Sequence, residues 1–104
     1  MLNKLLAEIF GTFMLVFIGG GSILLSEKYP HIFPAFCIPI AWGLTISVMI
    51  WVVGGVSGAH FNPAVTLAFA VAKRFPPAQV LTYWASQLLG GILAVGLLTI
   101  LQKK

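Results

Sequence analysis

Ser57-Gly58-Ala59-His60-Phe61-Asn62-Pro63-Ala64-Val65-Thr66-Leu67 is the stretch that decides the fold. It lies between two long apolar segments, yet it carries a glycine, a histidine and an Asn-Pro pair. Asn62 is a favoured N-cap and Pro63 a favoured first helical residue, because the missing proline N–H is one that a helix start leaves unpaired anyway. A short helix is predicted from Pro63 to Ala72, where Lys73, Arg74 and the Pro76-Pro77 pair stop it. At ~1.5 Å per residue such a helix is roughly 15 Å long, half of a ~30 Å hydrocarbon core. It can enter a bilayer but not cross it, and its positive end then points at the middle of the membrane.

Composition agrees with a membrane setting. Of the 104 residues, 60% are hydrophobic and only 8% are charged. Lys4, Glu27, Lys28, Lys73, Arg74, Lys103 and Lys104 all fall at the ends of apolar runs, and Glu8 alone lies within one. That is the distribution of a membrane protein. The net charge of +4 comes from these flanking bases, and no basic face exists on which a nucleic acid would lie. Cys37 is the sole cysteine, so no intrachain disulfide forms, and it reads as a small hydrophobe. No nucleophile–base pair or metal-binding cluster is visible; no enzymatic activity, metal or cofactor is expected.

Three apolar runs are long enough to span. The first is Leu5–Leu25, with Gly11, Gly19, Gly20 and Gly21 favouring close helix–helix approach. Lys4 followed by an apolar run invites a signal-peptide reading, but the run is too long, contains Glu8, and has no clean small-residue cleavage site. The second is Ala35–Val56, with Pro39 in its first turn and Trp42 and Trp51 along it. Trp51 reads as an interfacial or core aromatic. The third is Pro77–Leu101, where Gln87 lies deep and should face protein rather than lipid. The expected architecture is an all-α membrane protein, three transmembrane helices plus one re-entrant half-helix at residues 63–72, with no internal repeat.

Non-helical backbone survives at membrane depth only inside protein or beside a water-filled cavity. Gly58, Ala59 and His60 would therefore present a ladder of carbonyl acceptors. Asn62, capping through its side-chain oxygen on the N–H of about Val65, would keep its amide NH2 free. A neutral molecule that both donates and accepts hydrogen bonds suits that setting, whereas the positive helix end repels cations.

The run from Ser57 to Thr66 resembles the first signature of the major intrinsic proteins, the aquaporins and glycerol facilitators. Ala7-Glu8-Ile9-Phe10-Gly11-Thr12-Phe13 resembles that family's opening helix, and Trp84-Ala85-Ser86-Gln87-Leu88-Leu89-Gly90 its third. The resemblance covers nearly all of the chain and matches the first of the family's two inverted repeats. A second Asn-Pro-Ala followed by Arg is not present in these residues. By this resemblance, Asn62, Pro63 and Ala64 form half of a central constriction, and Gly58, Ala59 and His60 line the pore with carbonyls. Glu8 accepts hydrogen bonds from the re-entrant backbone near His60, Gln87 braces the same loop, and Trp42 contributes to the selectivity filter. A Trp there goes with glycerol- or metalloid-type members. The resemblance further implies passive movement of water or small uncharged solutes such as glycerol, a multi-pass cell-membrane location, and tetrameric assembly.

Two other readings stand beside it. One is a small dual-topology proton-coupled exporter using Glu8; the other is a non-conducting fragment. Orientation is also open. With the N-terminus inside, Lys4, Lys73 and Arg74 face Lys28, Lys103 and Lys104 across the membrane, so the basic-residue bias that sets topology is balanced. The complementary half is then either a second aquaporin-like half or an inverted copy of this chain.

Overall fold

The computed structural model describes residues 1–102. Four α-helices follow one another: α1 (Leu2–Lys28), α2 (Cys37–Ser57), α3 (Pro63–Val71) and α4 (Val80–Gln102), the last entered through a short 3-10 turn at Pro77–Gln79. The first, second and fourth are long and apolar enough to cross a membrane. Lys103 and Lys104, part of the charge comparison above, lie outside the described residues.

The elements differ from expectation mainly at their ends. α1 runs three residues beyond the apolar run on each side, Leu2–Lys28 against Leu5–Leu25. The helix continues through Lys4 and Glu27 because nothing before Pro30 breaks it, and lysine and glutamate are good helix formers. At 27 residues it is about 40 Å long, so its ends project from a ~30 Å core or the helix tilts. α2 begins at Cys37 rather than Ala35, with Pro39 in its first turn as expected. α3 ends at Val71, with Ala72 as its cap.

The end of α3 has a physical cause the sequence did not announce. Arg74 N–H bonds to Phe69 O at 2.8 Å and Lys73 N–H to Ala70 O at 3.1 Å. This pair of bonds is the Schellman termination, which requires a left-handed residue just after the cap. Lys73 takes that role, with φ +63°, where glycine is usual.

α1 is the central helix and packs against both α2 and α4, while α3 rests on α4. A close helix–helix approach is made at Gly90: a Cβ there would collide with the backbone of Ile9 and Phe13 in α1. The glycines of α1, expected to favour close helix–helix approach, accommodate side chains from neighbouring elements. Gly11 makes room for the ring of Phe61 and Gly19 for the indole of Trp42, while Gly20 and Gly21 face only Leu98 side-chain atoms. Each spanning helix leaves most of its apolar surface outside the protein, and Trp51 is 90% exposed on α2. In a membrane that surface meets lipid, so the interior here is set by polar pairing and close packing rather than by apolar burial.

Candidate functional site

The interior is dominated by polar side chains. Glu8, Thr66 and Gln87 are among the largest fully buried residues, together with Tyr83. Glu8 lies on α1 level with the non-helical segment between α2 and α3, and its carboxylate collects four donors. Ser57 Oγ–H and His60 N–H donate to Oε2 at 2.7 and 3.1 Å. Phe61 N–H and Gln87 Nε2–H donate to Oε1 at 2.9 and 2.8 Å. A buried carboxylate is costly unless its lone pairs are satisfied, and here both oxygens are.

Those bonds fix the backbone. Gly58, Ala59 and Phe61 all have positive φ, at +88°, +55° and +55°. For Ala59 and Phe61 this is an uncommon and costly conformation. It turns successive N–H groups to one side: Ala59 N–H goes to Ser57 Oγ at 3.1 Å, and the next two amides go to Glu8. The carbonyls of Gly58, Ala59 and His60 accept no hydrogen bond from any described residue. The inward N–H groups and the unclaimed carbonyls are two sides of one arrangement.

Gln87 and Thr66 extend the network. Gln87 Nε2 also donates to Thr66 Oγ1 at 2.9 Å, and Thr66 Oγ1 lies 2.9 Å from His60 Nδ1. Thr66 Oγ1 thus joins Gln87 to the His60 ring, the direction of its bond to Nδ1 being set by the imidazole tautomer. The His60 ring is closed in by Phe69 and Phe75, each with centroids 4.9 Å away, and by Tyr83 at 5.1 Å. His60 is thus a packed, buried structural residue, and it is not among the residues lining the open cavity beside Asn62.

Asn62 caps α3 from an extended conformation, accepting the Ala64 N–H at 2.8 Å. The expected partner was Val65. The amide used lies one residue earlier because Pro63 has no N–H to compete and the extended Asn62 backbone sets Oδ1 over the second helical amide. Its Nδ2 has no acceptor among the described residues, and Asn62, Pro63 and Ala64 are exposed. Trp84 Nε1–H donates to Pro63 O at 3.0 Å and ties the start of α3 to α4.

An open cavity of about 550 Å³ lies over this surface. Asn62, Phe61, Trp42 and Thr12 are among the residues that line it. Trp42 lies fifteen residues before the end of α2, about 22 Å along the helix from Ser57, so the cavity extends along α1 from the helix break toward the α2 start. Sequence reasoning missed Phe61, Tyr83, Ser57 and Thr66. Phe61 is 3% exposed and fills the notch at Gly11. Tyr83 Oη–H donates to Ser57 O at 2.7 Å and so satisfies a carbonyl at the end of α2. The signal for Ser57, Phe61 and Thr66 was their position in or beside the break, and for Tyr83 its place as a polar aromatic within the third apolar run.

The chain belongs to the major intrinsic protein family, whose model matches residues 1–104. It is 48% identical over 102 residues to an aquaporin Z of Brucella melitensis, covering 97% of this chain and 45% of that protein. It is 49% identical to nodulin-26 of Glycine max, covering 96% of this chain and 37% of that one. Aquaporin NIP1-1 of Oryza sativa is 50% identical, with 96% and 35% covered. The chain therefore spans less than half the length of these curated relatives. With three apolar spanning helices, it is an integral membrane protein.

Proposed function

We propose that this chain forms one half of a transmembrane channel through which water and small uncharged solutes move passively, and that it acts without enzymatic chemistry. The observation that carries this reading is the one-sided backbone at 58–61. Glu8 takes the amides of His60 and Phe61, and the carbonyls of Gly58, Ala59 and His60, to which no described residue donates, stand in the chain directly before the unpaired Asn62 amide and the start of α3. A row of acceptors ending in one donor and a positive helix end passes a hydroxyl-bearing neutral molecule and opposes cations. Asn62, Pro63 and Ala64 are then half of the constriction, and Gly58, Ala59 and His60 supply the carbonyl wall.

Trp42 is the proposed filter residue from this half. Its indole offers an apolar face and one N–H, which favours a solute with a carbon side, such as glycerol, alongside water. The cavity is open on one side, so a working pore needs a complementary half: a second aquaporin-like half or an inverted copy of this chain. The exporter reading finds less support, because a proton- or cation-binding Glu8 needs free lone pairs and access. Its two oxygens instead receive four protein donors, and Glu8 is 0% exposed. The test is stopped-flow light scattering on proteoliposomes holding this chain alone, or with a second half bearing Asn-Pro-Ala-Arg. Osmotic water or glycerol flux above that of empty vesicles supports the proposal; flux equal to that of empty vesicles in both preparations rejects it.

A further inference from the structure

Thr12, Leu15 and Val16 line the cavity beside Asn62 from the α1 side. At ~3.6 residues per turn the next position on that stripe is Gly19, seven residues after Thr12 and four after Leu15. Gly19 is buried, and the indole of Trp42 lies across it. A Cβ at Gly19 would sit 2.3 Å from Cδ2 and Cε2 of that indole and 2.7 Å from Cε3. Cδ2 and Cε2 are the carbons where the two rings fuse. The rigid middle of the side chain, not a flexible end, therefore rests against bare α1 backbone. Trp42 at the same time bounds the cavity.

We propose that Gly19 is a positioning residue that sets the width of the passage at Trp42, and with it the ability of a solute as broad as glycerol to pass beside water. This rests on the reading of the cavity as half of a pore with Trp42 in its filter. The direction of the effect follows from the helix. Side chains at i, i+3, i+4 and i+7 share a face, so a side chain at position 19 would project the way Thr12, Leu15 and Val16 do, toward the cavity. A methyl group there pushes the indole off α1 and into that open space. Ordinary carbon contact begins at 3.4 Å, so the ring retreats by about 1 Å. A narrower pore excludes the larger neutral solute first. The next two glycines lack this property: a Cβ at Gly20 would meet only Leu98 Cδ1 at 3.0 Å, and one at Gly21 only Leu98 Cδ2 at 3.7 Å.

The experiment compares Gly19→Ala with Gly21→Ala, the same substitution on the same helix with room for the methyl. The first readout needs no transport: the indole N–H resonances of the full chain, labelled with 15N-tryptophan in detergent, with the Trp42 signal assigned by its loss in Trp42→Ala. Gly19→Ala is expected to shift the Trp42 signal and to leave those of Trp51 and Trp84 in place; Gly21→Ala is expected to shift none. The second readout is stopped-flow light scattering on proteoliposomes holding the chain with its second half. Gly19→Ala should lower the ratio of glycerol to water permeability about tenfold, the lower end of what one methyl-sized change does in a close-fitting site. In the Trp42→Ala background, where no indole remains to displace, Gly19→Ala should leave that ratio unchanged. If Gly19→Ala alone does not fold, the double variant Gly19→Ala/Trp42→Ala must recover folded yield, since the atoms nearest the added methyl are all of the indole; failure to recover overturns the proposal. An unmoved Trp42 signal overturns it, as does an unchanged permeability ratio in a conducting channel. A wild type that conducts no more than empty vesicles is a different result: it rejects the channel reading and this inference with it.

Discussion

Removing the Glu8 carboxylate should destabilise the helix break more than any other single truncation in the chain. Glu8→Ala strands four donors: the Ser57 hydroxyl, the His60 and Phe61 amides and the Gln87 amide. Two of them have somewhere else to go. The Ser57 hydroxyl can rotate toward a carbonyl of its own helix, and Gln87 Nε2 already has Thr66 as a second acceptor. The two backbone amides cannot turn away without changing φ at Ala59 and Phe61, which is the structure they maintain. A buried donor left unpaired costs about 1–3 kcal/mol, so the pair puts the loss at about 2–6 kcal/mol. Against a total stability of about 5–15 kcal/mol, that is enough to lower folded yield sharply.

Glu8→Gln separates the carboxylate's charge from its volume. An amide keeps one acceptor oxygen and turns the other edge into a donor, so one pair of bonds survives and the other becomes donor against donor. The expected loss is about half that of Glu8→Ala. Both are measured by far-UV circular dichroism during denaturant titration in detergent, with folded yield as a second readout. If Glu8→Ala unfolds at the wild-type midpoint with full yield, the carboxylate is not what holds the break, and the account of the carbonyl wall fails with it.

Three further outcomes follow from the geometry. Gly90→Ala should cost about 1–3 kcal/mol, because the added methyl meets the α1 backbone at Ile9 and Phe13, which cannot move aside as a side chain would; a denaturant midpoint equal to wild type would refute the close approach. Lys73→Gly should raise stability by about 1 kcal/mol, since a left-handed residue without a Cβ avoids the steric cost paid at φ +63°, and thermal unfolding in detergent would show the rise. Asn62→Asp, in a channel assembled with its second half, should lower neutral-solute flux and admit cations, because a charge replaces the free amide donor; unchanged water permeability in stopped-flow scattering would remove Asn62 from the pore.

The sequence made the architecture legible because a membrane leaves so few choices. Three long apolar runs must be helices there, and Asn62-Pro63 marks a helix start that no bilayer-spanning segment needs. The role of Glu8 as acceptor was readable for the same reason, since a carboxylate inside an apolar run must find donors. What stayed hidden were features set by three-dimensional register. No pattern along the chain shows that Gly11 opposes Phe61 while Gly90 opposes the α1 backbone, because each partner comes from a different helix. The positive φ of Ala59, Phe61 and Lys73 was equally invisible, since all three are ordinary L-residues at positions where glycine is the usual sign. The tertiary bonds that hold them there override local preference.

Those strained residues join the folding problem to the proposed function. A chain that turns from a spanning helix back into the membrane exposes that helix's last carbonyls and the following backbone, and in lipid each such group needs a partner. The end of α2 takes Tyr83 for one carbonyl, and Glu8 takes the amides beyond it. One carboxylate can gather consecutive N–H groups only if the backbone rotates them to the same side, and this is what the left-handed conformations at Ala59 and Phe61 accomplish. The carbonyls of Gly58, Ala59 and His60 are left without a donor among the described residues, free in the proposed pore to meet a mobile molecule. On this reading the acceptor wall is the remainder left when a buried acid satisfies a broken helix from one side. The proposed selectivity for neutral solutes would then follow from the same geometry that allows the chain to fold: a row of acceptors, the Asn62 donor, and the positive end of α3.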